Sequence, residues 1–202
     1  PLGVGSPFFS SLPLEKHGLE WIHPPAPLAH PLDDGTAVVL ERDLEQAKRS
    51  LGQDGGAWAD LLQPFVDQWP ELSSEVLGPV PLLPKHPLLM ARFGLSAFRS
   101  ARSIAQRFQN ERTRALFGGI AAHSFLSLDE SLSGAFGILL AISAHAVGWP
   151  IARGGSQSLT DSLCSLLGQL GGKITTSTQV ESLRQLPPGD LVLCDVTPRQ
   201  LL

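Results

Sequence analysis

The stretch Gly148–Ile174, GWPIARGGSQSLTDSLCSLLGQLGGKI, holds the join on which the fold class turns. Two adjacent glycines, Gly154 and Gly155, stand just ahead of a helical pattern. A glycine pair permits backbone conformations and close approaches that side chains forbid. After it, Leu159, Leu163, Leu166, Leu167 and Leu170 recur at helical spacing, and Gly171-Gly172 ends the run. Downstream, KITTS and QVESL read as strands. Gly189–Val196, GDLVLCDV, reads as another, too apolar for an exposed edge. A helix followed by strands in this order predicts part of a nucleotide-binding α/β domain from residue 148 onward.

Upstream the pattern differs. Prolines crowd residues 1–36, which favours extended or turning backbone. Within that region LEWI and then TAVVL (Thr36–Leu40) read as short strands, and Asp34-Gly35 is a turn signal. The two runs are expected to pair as a β-ribbon, with ERDLEQAKRSL turning helical after it. Trp58, Leu61, Leu62, Phe65 and Trp69 then follow the i, i+3, i+4, i+7 spacing of an amphipathic helix. Beyond the Pro-rich break GPVPLLPKHP, helix is predicted over 88–117 and again over 132–147. The run GAFGILLAISAHAVGW is the most apolar in the chain. It falls short of the ~20 residues that span a bilayer and contains His145, so it reads as a buried helix lining a core or an apolar cavity. The expected architecture for residues 1–147 is therefore a lobe of helices over a small antiparallel sheet.

Composition narrows the function classes. The chain has 202 residues, 43% hydrophobic and 17% charged, a balance too apolar for disorder and too charged for an integral membrane protein. A net charge of -4 speaks against a general nucleic-acid binder. Cys164 and Cys194 form neither a metal knuckle nor a disulfide framework, and they read as two buried thiols in a reducing compartment. The opening PLGVGSPFF lacks the blocks of a signal peptide. The localisation this implies is cytoplasmic, or mitochondrial if a targeting segment lies upstream.

Few residues look chemical. Gly3-Val4-Gly5 starts like a dinucleotide fingerprint, but Phe8 replaces its third glycine and Pro7 stands where the helix should begin. GGSQS approaches the nucleophile elbow G-x-S-x-G, but Ser158 replaces the last glycine and no histidine follows His145, so Ser156 reads as a helix N-cap. The six histidines form no HxH or HExxH pattern, and no metal site is expected. His123 and His145 lie in apolar helical surroundings, where core packing is the plainer reading of each. Arg92, Arg99, Arg102, Arg107, Arg112 and Arg114 crowd one segment, opposed there only by Glu111. They read as a solvated face, or more sharply as a basic surface meeting a lipid headgroup or a phosphate.

Four blocks carry a family resemblance: the Pro-rich start through TAVVLERDLE, ALFGGIAAHS, GWPIARGGSQSLTDSLCSLLGQLGGKITTSTQVESL and LVLCDVTPRQLL. In this order they resemble FAD-dependent oxidoreductases of the phytoene desaturase and phytoene-dehydrogenase-like family. The G-W-x-x-x-x-G-G block with its Leu-rich helix is the most specific. The resemblance implies a Rossmann-like FAD-binding domain interrupted by a substrate domain of sheet and helices. Residues 1–147 would belong to the substrate domain, and 148–202 to the return into the FAD domain. It implies a central fragment, lying after the dinucleotide fingerprint and before the last flavin-contacting segment. Gly154 and Gly155 then match the glycine pair near the flavin, Val180 the valine whose backbone meets adenine, and Cys194 and Asp195 the strand end close to the cofactor. The implied cofactor is FAD and the implied partner a hydrophobic small-molecule substrate, with helices at 118–149 lining its pocket. Flavin accepts the hydride itself, which fits the lack of an acid–base constellation; no catalytic residue is assigned. The competing reading is a non-enzymatic module that binds a hydrophobic ligand or a protein without any cofactor.

Overall fold

The computed structural model describes residues 1–79, 83–189 and 191–201. Val80–Leu82 of the Pro-rich break, Asp190 of the apolar run 189–196, and Leu202 lie outside the described residues. The chain divides into two units, Pro1–Leu166 and Leu167–Leu202.

The first unit is mixed α+β. A short helix α1 (Pro7–Ser10) is capped by the Ser6 hydroxyl, which accepts from the Phe9 N–H at 3.3 Å. Two small antiparallel sheets follow. Strand β1 (Trp21–Ile22) pairs with β4 (Ile151–Ala152), and β2 (Leu28–Pro31) pairs with β3 (Ala37–Leu40) in the register Leu28↔Leu40 to Pro31↔Ala37. The Asp34-Gly35 turn forms where the sequence places it. Gly35 is left-handed at φ +80°, and the Asp34 carboxylate accepts from the Thr36 N–H at 2.8 Å. The strand expected to pair with TAVVL is nevertheless wrong. Trp21-Ile22 goes to the distant β4, while LAHP, unmarked in sequence because it ends in proline, closes the hairpin. Pro31 is tolerated because it sits at the turn end of the ribbon, where it and its partner Ala37 are exposed.

Six helices carry the core: α2 (Leu44–Ser50), α3 (Gly55–Val66), α4 (Trp69–Val76), α5 (Pro87–Ala97), α6 (Ala101–Ala105) and α7 (Glu111–Ala121). Their starts follow local chemistry. Asp43, Ser100 and Asn110 each accept a backbone N–H of the first turn, and prolines open α4 and α5. The helix expected over 88–117 is therefore three, because Ser100 and Asn110 hold extended N-cap backbone that interrupts it.

Helices α3 to α7 surround α8 (Ser133–Ala146), and α2 packs on α3; Ile138, Ala141, Ile142 and Ala144 of α8 are fully buried in one core with Trp58, Leu62, Phe117 and Ile120. Glycines set the approach. A Cβ on Gly137 would lie 2.8 Å from the Phe117 ring, and one on Gly134 would meet the Arg99 carbonyl at 2.6 Å. Across the hairpin, Val38 and Leu40 are buried against the helices, and the His30 ring lies on Gly119 of α7. Arg112 of α7 clips the ribbon by donating to the Thr36 hydroxyl at 2.6 Å and to the Ala37 carbonyl.

Helix α9 (Gln157–Gln169) starts in the first unit. There the Ser162 hydroxyl is buried and donates to the Ser158 carbonyl at 2.7 Å. It ends in the second unit, where Gly171 is left-handed at φ +84° and the Gly172 N–H closes on the Leu167 carbonyl at 2.9 Å. The strands expected from KITTS, QVESL and 189–196 do not form among the described residues. Ser182 and Gln185 instead build a capping box on one 3₁₀ turn (Leu183–Gln185), and a short helix α10 (Pro198–Leu201) follows. Leu191, Val192 and Leu193 remain exposed. A strand is stabilised only by a neighbour that completes its ladder, and none does so among the described residues of the second unit. No helix among the described residues is long and apolar enough to cross a membrane.

One buried carboxylate ties this arrangement together. Asp54, 1% exposed just before α3, accepts from the Gln109 N–H at 2.7 Å and the Asn110 N–H at 2.8 Å. Burial pushes its pKa up, but the Gln109 and Asn110 amides, the Thr113 hydroxyl and the Arg114 charge outweigh that and hold it below the ordinary carboxylate value. A lowered folded pKa gives stability that is complete above the unfolded pKa and is lost as pH falls through the folded one. Asp54→Ala should lower the urea-unfolding free energy at neutral pH by about 3 kcal/mol, since it strands two amides. In the difference between the two proteins, that gap should close only in acid.

Candidate functional site

The glycine turn is built from β4 outward. Gly148, left-handed at φ +82°, ends the run from α8, and an added Cβ there would sit 2.9 Å from the His23 ring. Strand β4 then meets β1. The Arg153 N–H donates to the Glu20 carbonyl at 2.9 Å and its guanidinium to the Glu20 carboxylate at 2.6 Å. Gly154 and Gly155 follow with φ of +83° and +94°, two consecutive left-handed residues that reverse the chain into α9. The Gly155 N–H closes on the Ala152 carbonyl at 2.9 Å, and the Ser158 hydroxyl donates back to the Arg153 carbonyl.

The glycines are thus required by backbone conformation. A Cβ on Gly154 would press on the Ser158 hydroxyl at 2.9 Å, whereas one on Gly155 meets nothing within 4 Å. Ser156 occupies the residue before α9, and its carbonyl accepts from the Leu159 N–H. The hydroxyls that bond backbone here belong to Ser158 and Ser162. Val180, Cys194 and Asp195 lie in the second unit on irregular backbone, all exposed. Both cysteines are free and exposed, which corrects their reading as buried thiols.

The buried polar chemistry of the first unit lies elsewhere, at His145 on α8. The Trp58 indole N–H donates to His145 Nε2 at 3.0 Å, and His145 Nδ1–H donates to the Arg42 carbonyl at 3.0 Å. Both ring nitrogens are satisfied in one neutral tautomer, with the imidazole edge-on to Trp58. Burial lowers its pKa, while the Arg42 carbonyl and the Asp43 charge raise it less. His145 is therefore a core histidine, as its apolar surroundings indicate. His123 differs: it is exposed at the end of α7, beside Trp149 at 5.9 Å.

The arginine segment is largely spent on structure. Arg112 clips the hairpin, Arg114 donates to the Phe108 and Gln109 carbonyls, and Arg102 pairs with Asp129 at 2.7 Å. Among the described residues, no three His, Cys, Asp or Glu side chains gather as metal ligands.

Several clefts open on this unit, and two of them bear on the expected pocket. One, of about 380 Å³, lies among Val4, Phe9, Leu14, Leu19 and Trp21; sequence gave no sign of it beyond the apolar residues between the prolines. The other, of about 330 Å³, takes Gly118 and Leu128 from the stretch expected to line a pocket, together with Ala101, Ala105, Arg102 and Arg114. The apolar side chains of α8 pack into the core.

No family model, curated protein or solved structure matches the chain.

Protonating His145 requires giving up the bond from Trp58. A folded pKa held below 6.5 makes the neutral form part of the fold, so stability is complete above 6.5 and declines as pH falls through the folded value. Melting temperature should therefore drop between pH 7 and pH 5 in the wild type. His145→Gln should have a lower melting temperature at pH 7 and a shallower decline.

Proposed function

We propose that the chain is the substrate-domain lobe and adjoining return segment of an FAD-dependent oxidoreductase that takes a hydride from an apolar substrate. The observation that carries the reading is the G-W-x-x-x-x-G-G block. Its two glycines form a left-handed reversal that leaves the lobe's last strand and opens a leucine-rich helix. A second support is the apolar run Leu191–Leu193, which has the composition of an inner strand and stands exposed.

The residues here do not by themselves make a flavin site. Gly5, in the only dinucleotide-like glycine pair, is buried so closely under Trp69 that a Cβ would lie 2.8 Å from its ring. It therefore has no room to cradle a pyrophosphate. Gly155 has an open face and Val180 is exposed, positions suited to the margin of a cofactor anchored by other residues. The flavin, when bound, supplies the hydride acceptor; this chain's part is to shape an apolar lobe and turn back toward it.

The test is flavin binding by protein made from the complete coding sequence. Flavin absorbance in the purified protein, or quenching on titration with FAD, is the expected result. A colourless protein that stays unresponsive to excess FAD overturns the proposal and leaves a cofactor-free binding module. Within the same protein, Val180→Ala should barely change FAD affinity, whereas Val180→Pro should weaken it sharply by removing the N–H. Equal effects would mean that Val180 acts by packing.

A further inference from the structure

Helix α5 is apolar on two sides. Leu89, Phe93 and Ala97 enter the core, while Leu88, Leu95 and the C-cap residue Phe98 are 87%, 79% and 68% exposed. On a 3.6-residue repeat Leu88 and Leu95 fall within about 20° of each other, and Phe98 lies about 80° to one side. Arg92, exposed, lies about 40° to the other side, and exposed Arg99 follows the C-cap. The outer face is an apolar strip bordered by an arginine pair. Leu83 is exposed just before it. At its far end the Gly134 N–H donates to the Arg99 carbonyl at 3.2 Å, which brings exposed Leu132 near Arg99, with Asp129 and Glu130 exposed just before it. Contiguous exposed side chains of this size mark an interaction surface.

Charge selects the partner. Residues 83–110 contain Lys85, Arg92, Arg99, Arg102 and Arg107 and no Asp or Glu. Of the helices packed on α5, α8 has no acidic residue, and α4 has Glu71 and Glu75. Glu75 is buried and accepts from the His86 N–H at 2.8 Å, which leaves half-buried Glu71 as the one carboxylate of α4 open to solvent. Arg102 is paired with Asp129, and the Arg92 guanidinium lies 5.8 Å from the Phe65 ring centroid at the border of the strip. A second copy placed symmetrically on this face would bring like charges together. An anionic bilayer satisfies both features, with an apolar boundary for the leucines and phosphates for the cations.

We propose that the outer face of α5 docks the protein on anionic membranes. Leu88, Leu95 and Phe98 enter the boundary between headgroups and acyl chains, and Lys85, Arg92 and Arg99 meet lipid phosphates. This rests on α5 alone and is independent of the flavin reading.

The experiment is co-sedimentation of the chain with phosphatidylcholine vesicles, either pure or with about one lipid in three replaced by phosphatidylserine. Binding to the anionic vesicles, weakened by salt, is expected. The Leu88→Ser, Leu95→Ser, Phe98→Ser triple variant should bind roughly ten-fold or more weakly, and Arg92→Gln with Arg99→Gln should lose the preference for phosphatidylserine. Thermal melts establish that each variant folds. If the triple variant does not, a dye on Leu95→Cys, with Cys164 and Cys194 changed to Ser, reports the same contact through a blue shift on anionic vesicles. Three results would overturn the proposal: no binding to anionic vesicles, binding that neither variant changes, or a concentration-dependent dimer that the triple variant disperses without any lipid binding.

Discussion

Helix α8 is buried along so much of its length that every polar group on it must find a protein partner, and the rest of the first unit is arranged to provide them. The Ser133 hydroxyl accepts from the Ala101 N–H at 2.8 Å and fixes the start of α6. His145, near the other end, takes the indole N–H of α3 and gives its own to the Arg42 carbonyl between β3 and α2. An unmet buried donor costs about 1–3 kcal/mol, so these bonds specify which neighbours α8 accepts. Between them the helix offers small residues, and Gly134 and Gly137 let the α5–α6 connection and α7 lie against its backbone. Hydrophobic burial supplies the driving force, and the polar ends fix the arrangement.

That division explains what the sequence discloses. Periodicity places Trp58, Leu61, Leu62, Phe65 and Trp69 on one helix face; all five are buried, but the helix ends at Val66 and Trp69 opens α4. The apolar run at 133–146 is a core helix, as its length and its histidine indicate. Local signals fail where the partner is remote. Nothing near Trp21 announces that its strand pairs with Ile151-Ala152, and nothing near Asp54 announces that it closes on amides at 109 and 110. Of the residues taken as cofactor-facing, the glycine pair had a legible local meaning, a left-handed turn. Val180, Cys194 and Asp195 had none, because their reading depended on strands.

The second unit shows the same dependence from the opposite side. Residues 189–196 have the composition of an inner strand, yet composition contributes only a willingness to be buried. The ladder must come from a neighbour. Where the first unit has a partner for each of its short strands, even two residues suffice, as β1 and β4 show.

The β1–β4 pairing has a topological effect. Glu20 and Arg153 are 133 positions apart in the chain, yet they touch through both backbone and side chain. The helices and the hairpin between them therefore form a closed loop whose two ends lie side by side. A body with adjacent ends can be carried in a single surface turn of another domain without stretching it. The segment from β1 to β4 thus ends beside where it began, and a pairing of two residues from each strand, not the length of chain between them, sets the separation of its ends.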